Sequence, residues 1–141
     1  MSLLAALLLT TPPPAEHALP GIRYEVLEAG PVSGAHPTRA DDVDVRYVGQ
    51  LTDGTTFSAS PDGGRQPMTF AVQRLIPGFM AALLLMRPGD RWRVTLPPYL
   101  AYGATGRRLG PQASTMQSHD IPPEATLIFD IELVAVRPAR P

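Results

Sequence analysis

LAYGATG at 100–106 and IPPEATLIFDIEL at 121–133, joined by a polar loop, decide how this chain is read. Gly103 and Gly106 permit turn geometry that a side chain resists, so Tyr102 is predicted to stand where a strand ends, its phenol at the mouth of the fold. Pro122 and Pro123 hold Ile121 extended, and Leu127, Phe129, Ile131 and Leu133 then alternate onto one face of a final strand. An aromatic hydroxyl, a rigid Ile-Pro-Pro corner and an aromatic-bearing strand would together line an apolar cleft.

Working outward, the chain from Gly21 onward repeats with period two, the spacing of a sheet with one buried face. Ile22, Tyr24 and Val26 alternate with Arg23 and Glu25, and Val43, Val45 and Tyr47 alternate with Asp44 and Arg46. Asp53-Gly54 supplies a hairpin turn before Phe57. Met68, Phe70 and Val72 repeat the pattern, as do Trp92, Val94 and Leu96 against Arg91, Arg93 and Thr95. The linkers lack the regular helices that a parallel sheet needs, so the sheet is predicted to be antiparallel. One segment breaks the period: Pro77 to Met86 reads as a short helix, opened by its proline and closed by Pro88-Gly89, with Phe79, Leu83 and Met86 on one stripe. The fold class that follows is α+β, an antiparallel sheet of about five or six strands wrapped around one short helix.

Composition limits the function. A chain of 141 residues accommodates one domain with a core of its own. The net charge of −1, from 12 basic and 13 acidic residues, provides no global field for nucleic acid or anionic membranes. The absence of cysteine excludes disulfides, thiol catalysis and cysteine-ligated metal. His17, His36 and His119 share no metal-ligand spacing, so no metal and no cofactor is expected. Residues 1–20 differ from the rest: the apolar run Leu3 to Leu9 is too short to span a bilayer and is followed by Pro12, Pro13 and Pro14. This leader reads either as a signal-like or truncated export segment, which implies a periplasmic or exported protein, or as a disordered leader on a cytoplasmic one. The domain proper is placed at 21–137, with a tail at 138–141.

Four ordered segments resemble the FKBP family of peptidyl-prolyl cis-trans isomerases. The closing signature at 100–133 is similar to the family's C-terminal one, VDVRYVGQLTDGTTFSAS at 43–60 to its central hairpin, FAVQRLIPGF at 70–79 to the entry of its helix, and LMRPGDRWRVTLPPYLAYG at 85–103 to the strand leading to its tyrosine. The resemblance runs from GIRYEVLEAG at 21–30 to LIFDIELVAV at 127–136, and the Arg-Leu-Ile-Pro-Gly wording is closest to bacterial members similar to macrophage infectivity potentiators. The 141 residues are expected to have no room for the N-terminal helical dimerisation domain of those potentiators.

The resemblance implies an isomerase acting on Xaa-Pro bonds of flexible or unfolded client proteins, assisting their folding without a cofactor. It carries catalytic roles to Tyr102, Phe57, Phe129 and Phe79, and substrate contacts to Tyr47, Ser58, Met68, Leu75, Ile76 and Ile121. Macrolides of the rapamycin class become candidate ligands. Phe70 and Trp92, on inward strand positions, read as core. Three positions depart from the family pattern: Phe79 replaces the usual tryptophan and loses an indole donor, Met68 replaces a common aromatic, and Ser58 replaces the usual aspartate. They leave open an alternative, a binding module or chaperone of the same fold with little or no isomerase activity. The long loop RRLGPQASTMQSHD at 107–120 is expected to overhang the cleft and to be mobile. Met80, Leu84 and Leu85 on the helix suggest an exposed apolar face for self-association.

Overall fold

A computed structural model describes residues 16–19, 21–110 and 116–139. Its strands are β1 (Glu16–Leu19), β2 (Ile22–Glu28), β3 (Asp42–Leu51), β4 (Thr56–Ala59), β5 (Met68–Ala71), β6 (Arg91–Leu96) and β7 (Leu127–Arg137), with one α-helix, α1 (Pro77–Leu85), between β5 and β6. They form one sheet in the order β1-β2-β6-β7-β3-β4, with β5 also paired to β3, and every pairing is antiparallel. The expected antiparallel sheet around one helix is therefore present. Its extra edge strand comes from Glu16–Leu19, in the stretch read as a leader; residues 1–15 of that stretch lie outside the described residues.

Alternation decides which side chains enter the core. Val43, Val45 and Tyr47 of β3, Trp92, Val94 and Leu96 of β6, and Leu127, Phe129, Ile131 and Leu133 of β7 are all buried. Their neighbours face outward and pair there, Arg91 on both carboxylate oxygens of Asp130 at 3.0 and 3.1 Å and Arg46 on Glu132 at 2.8 Å. These half-exposed pairs contribute solubility and register more than stability. Strand β5 is shorter than the alternation suggests: Val72 remains fully buried but opens a 3₁₀ turn over Val72–Arg74.

Helix α1 has no polar residue, and most of its side chains pack against the core. Phe79, Ala82 and Leu83 are buried, as is Met86 immediately after the last turn. Gly78 permits the approach, since a Cβ there would stand 2.5 Å from the Leu96 side chain. Pro77 starts the helix where a missing N–H costs nothing, and Ile76 before it is held extended at φ −59°, ψ 150°. That leaves Ile76 projecting at the rim, on the last extended residue before the helix.

Candidate active site

The residues that the resemblance singled out come from seven separate stretches of chain, and all but Met68 converge. Tyr47 on β3, Phe57 and Ser58 on β4, Leu75 and Ile76 before α1, Phe79 on α1, Tyr102 and Ile121 on the loops after β6, and Phe129 on β7 line one cleft of about 410 Å³. Phe129 is the hub of its floor. Its ring meets Phe57 at 5.5 Å and Phe79 at 5.1 Å edge-on, and Tyr47 at 6.2 Å; Tyr47 in turn meets Phe79 edge-on at 5.7 Å. Edge-to-face contacts hold these rings at fixed angles to one another, so the aromatic floor is pre-shaped.

Met68 is the exception. It opens β5 at the sheet margin, paired with Val45, and at 37% exposure it lies outside the cleft lining. Phe70, two residues on and read from sequence as core, lines the cleft instead and meets Tyr47 edge-on at 6.0 Å. The reason is positional: both residues share a face of a four-residue strand, and only Phe70 reaches the end that feeds into α1. Trp92 is core as expected, stacked on Tyr24 at 4.2 Å.

The polar groups are few. The Tyr47 hydroxyl shares a 2.8 Å hydrogen bond with Ser58 Oγ and lies 3.8 Å from Met116 Sδ. Burial pushes the Tyr47 phenol pKa up, the Ser58 hydrogen bond works against that, and the neighbouring Tyr102 adds to the rise, so Tyr47 is a neutral hydroxyl at physiological pH. Ser58 thus gives the cleft wall an uncharged hydroxyl, bonded to Tyr47. Tyr102 is half-buried, follows a 3₁₀ turn over Pro98–Leu100 rather than the strand end itself, and is set by two left-handed glycines, Gly103 at φ 61° and Gly106 at φ 66°. At Gly106 the requirement is doubled, since a Cβ would come 2.2 Å from the Ile121 carbonyl oxygen. No hydrogen bond to another described residue engages the Tyr102 hydroxyl, while the Arg107 guanidinium stands 5.7 Å from its ring centre.

Three contributors carried no sequence signal. Gly49 is an inward position of β3 whose Cβ would lie 2.7 Å from the Phe57 ring and 2.8 Å from the Phe129 ring. Met116 and Gln117 sit in what reads as polar loop, yet they return to β4: Met116 accepts from the Ala59 N–H, and Gln117 bridges Ser58 while donating to the carbonyls of Arg107 and His119 at 3.1 Å. Ser118 N–H closes on the Phe57 carbonyl at 2.7 Å, and Arg107 and Ile121 exchange two hydrogen bonds of 2.9 Å. Both ends of the overhanging loop are therefore fastened to the cleft; residues 111–115 lie outside the described residues, and the expected mobility with them. Of the helix residues assigned to self-association, Met80 and Leu84 pack against the core and Leu85 is 40% exposed.

A depression of similar size, about 420 Å³, lies on the outer face of the sheet between Arg46, Arg91, Arg93, Asp130 and Glu132. Its charged groups pair with one another, Arg46 with Glu132 and Arg91 and Arg93 with Asp130. No cluster of metal-ligating side chains occurs among the described residues, and no helix among them is long and apolar enough to cross a membrane.

A family model described as FKBP-type peptidyl-prolyl cis-trans isomerase matches residues 33–134. The FKBP-type 22 kDa peptidyl-prolyl cis-trans isomerase of Escherichia coli is 40% identical over 116 residues, which cover 82% of this chain and 50% of that protein. The outer membrane protein MIP of Legionella longbeachae is 41% identical over 119 residues, 84% of this chain and 46% of that one. This chain spans about half the length of these two relatives. A solved peptidyl-prolyl cis-trans isomerase of Pseudomonas syringae pv. tomato matches with a TM-score of 0.70 and 36% identity over 92% of this chain and 84% of the other. The sequence motifs, the helix-filled antiparallel sheet and the aromatic cleft agree with these matches, and the chain belongs to the FKBP-type peptidyl-prolyl cis-trans isomerase family.

Proposed function

We propose that this chain accelerates rotation about Xaa-Pro bonds in flexible protein segments, with 21–137 as the acting domain. The observation that carries the reading is the convergence of Tyr102, Ile76, Phe57, Phe79 and Phe129 on one apolar cleft, with the Tyr102 hydroxyl uncommitted to other described residues. Rotation about an Xaa-Pro amide is slow because resonance gives it a barrier of about 18–20 kcal/mol. The planar amide is more charge-separated than the twisted one, so a water-poor cleft disfavours it relative to the transition state. Tyr102 donates to the carbonyl of the residue before proline while the ring is held against Phe57, Phe79 and Phe129. Lowering the barrier by about 4–7 kcal/mol gives roughly a thousandfold to a hundred-thousandfold acceleration, with no nucleophile or acid-base pair.

The direct test is cis-trans exchange of Xaa-Pro peptides followed by NMR, where a rate equal to buffer overturns the proposal. Tyr102→Phe is expected to lower kcat/KM about threefold to tenfold, the loss of one positioned hydrogen bond, with the fold unchanged.

A second reading, binding with little turnover, is supported by the neutral Tyr47–Ser58 pair and by Phe79, which has no donor to offer a ligand. The family in general binds proline-containing peptides and macrolides, and both are proposed as ligands here. Ser58→Asp is expected to tighten binding of a rapamycin-class macrolide about threefold to tenfold, as a charged acceptor replaces a neutral one; calorimetric titration measures it, and unchanged affinity removes Ser58 from the site. For location, the run Leu3 to Leu9 supports export and the prolines after it support a cytoplasmic leader; cell fractionation with sequencing of the mature N-terminus separates the two.

A further inference from the structure

Asp41, Ser60, Asp90 and Gln117 are buried polar residues, and of these four only Gln117 lines the cleft. Burying a side-chain amide costs free energy unless its N–H groups find acceptors. Gln117 Nε2 finds two, the carbonyl oxygens of Arg107 and His119, each at 3.1 Å. Arg107 lies on the limb of the loop that leaves the Tyr102 turn and His119 on the limb that returns toward Pro122, so one side chain ties the two limbs together. The Arg107 carbonyl also accepts from the Ile121 N–H at 2.9 Å, which occupies both of its lone pairs.

The returning limb is fastened to β4 on both sides of Gln117. The Ala59 N–H donates to the Met116 carbonyl at 3.3 Å, the Ser118 N–H donates to the Phe57 carbonyl at 2.7 Å, and Met116 Sδ lies 3.8 Å from the Tyr47 hydroxyl. Met116 and Ile121, which these bonds hold in place, line the cleft together with Phe57. The amide N–H groups of Gln117 are engaged within the loop, so Gln117 acts on the cleft through these neighbours.

We infer that Gln117 is a positioning residue of the prolyl cleft: its amide clamps the two limbs, keeps Met116 and Ile121 in the wall, and so sets how tightly a proline-containing segment is held. This role rests on the isomerase reading above. Wall contacts of this kind are made alike by the planar and the twisted amide, so loosening them raises KM and leaves kcat nearly unchanged. A side chain needed only for stability would lower the unfolding midpoint and spare KM wherever the protein is folded.

The test is Gln117→Met, which keeps length and bulk and removes both donors. KM from NMR exchange and Kd from chemical-shift titration with an Xaa-Pro peptide are expected to rise about fivefold to tenfold, with kcat changed less than about twofold. Hydrogen exchange at the Ala59 and Ser118 amides is expected to quicken about tenfold or more, while the amides that pair β3 with β7 keep their protection. Adding Met116→Ala to Gln117→Met is expected to raise Kd by no more than about twofold beyond the larger single effect, because clamp and wall residue act in one chain of contacts. An unchanged Kd overturns the inference, as does full additivity of the two substitutions. Exchange that quickens equally in β3 and β7 also overturns it, since the role is then stability alone. Should the parent turn over no peptide, the isomerase reading fails while Kd and amide exchange still decide the role of Gln117.

Discussion

Phe129→Ala is expected to destabilise the protein by about 3–5 kcal/mol and to abolish measurable isomerase activity. Phe129 is 3% exposed and its ring is the one that Tyr47, Phe57 and Phe79 all contact. Truncation removes the apolar transfer energy and leaves a cavity that three rings on different elements cannot fill together. A domain of this kind has a total stability of about 5–15 kcal/mol, so the variant is predicted to remain folded only at low temperature or low denaturant. Phe129→Leu separates the two effects, since it restores much of the volume but no ring edge. It is expected to recover more than half of the lost stability in urea unfolding while exchange activity stays at least tenfold below the parent. Full activity in Phe129→Leu would show that apolar volume suffices and that ring geometry is irrelevant.

Gly49→Ala has the second largest expected effect, for the opposite reason. The new Cβ would meet the Phe57 ring at 2.7 Å and the Phe129 ring at 2.8 Å, both closer than carbon atoms tolerate. Neither ring is a flexible surface end: Phe57 is 1% exposed and Phe129 3%. Overpacking of this type costs about 1–3 kcal/mol, and its relief must tilt one or both rings into the cleft. The expected result is a cooperative fold with a reduced midpoint and activity down at least tenfold, dominated by KM as the prolyl space narrows. The tilt is visible as a change in near-ultraviolet circular dichroism. Unchanged KM would mean that the rings relax away from the cleft and that Gly49 serves the sheet alone.

Much of this architecture could be read from residue order. The alternation in β3, β6 and β7 placed Val43, Val45, Tyr47, Val94, Leu96, Phe129 and Ile131 correctly inward, because side chains one residue apart on a strand must point to opposite faces. Pro77 and Pro88-Gly89 bounded the helix to within a residue, through the missing N–H at one end and, at the other, Gly89 at φ 95°. The Tyr102 turn was likewise legible in Gly103 and Gly106. Each of these inferences rests on a constraint confined to a few consecutive residues.

What escaped such reading depends on residues far apart in the chain. Whether Met68 or Phe70 faces the cleft turned on where β5 stops along β3, and the shared parity of the two cannot distinguish them. Gly49 looks like any strand glycine until the pairing of β3 with β7 sets Phe129 beside it and the hairpin brings Phe57 to its other side. Gln117 looks like loop until its return to Ser58 closes the wall. The family, the sheet and much of the aromatic cleft were therefore written in local pattern and motif. The composition of the cleft wall, with Phe70, Gly49 and Gln117 in it, came from register and loop closure, which the chain settles only when distant segments pack.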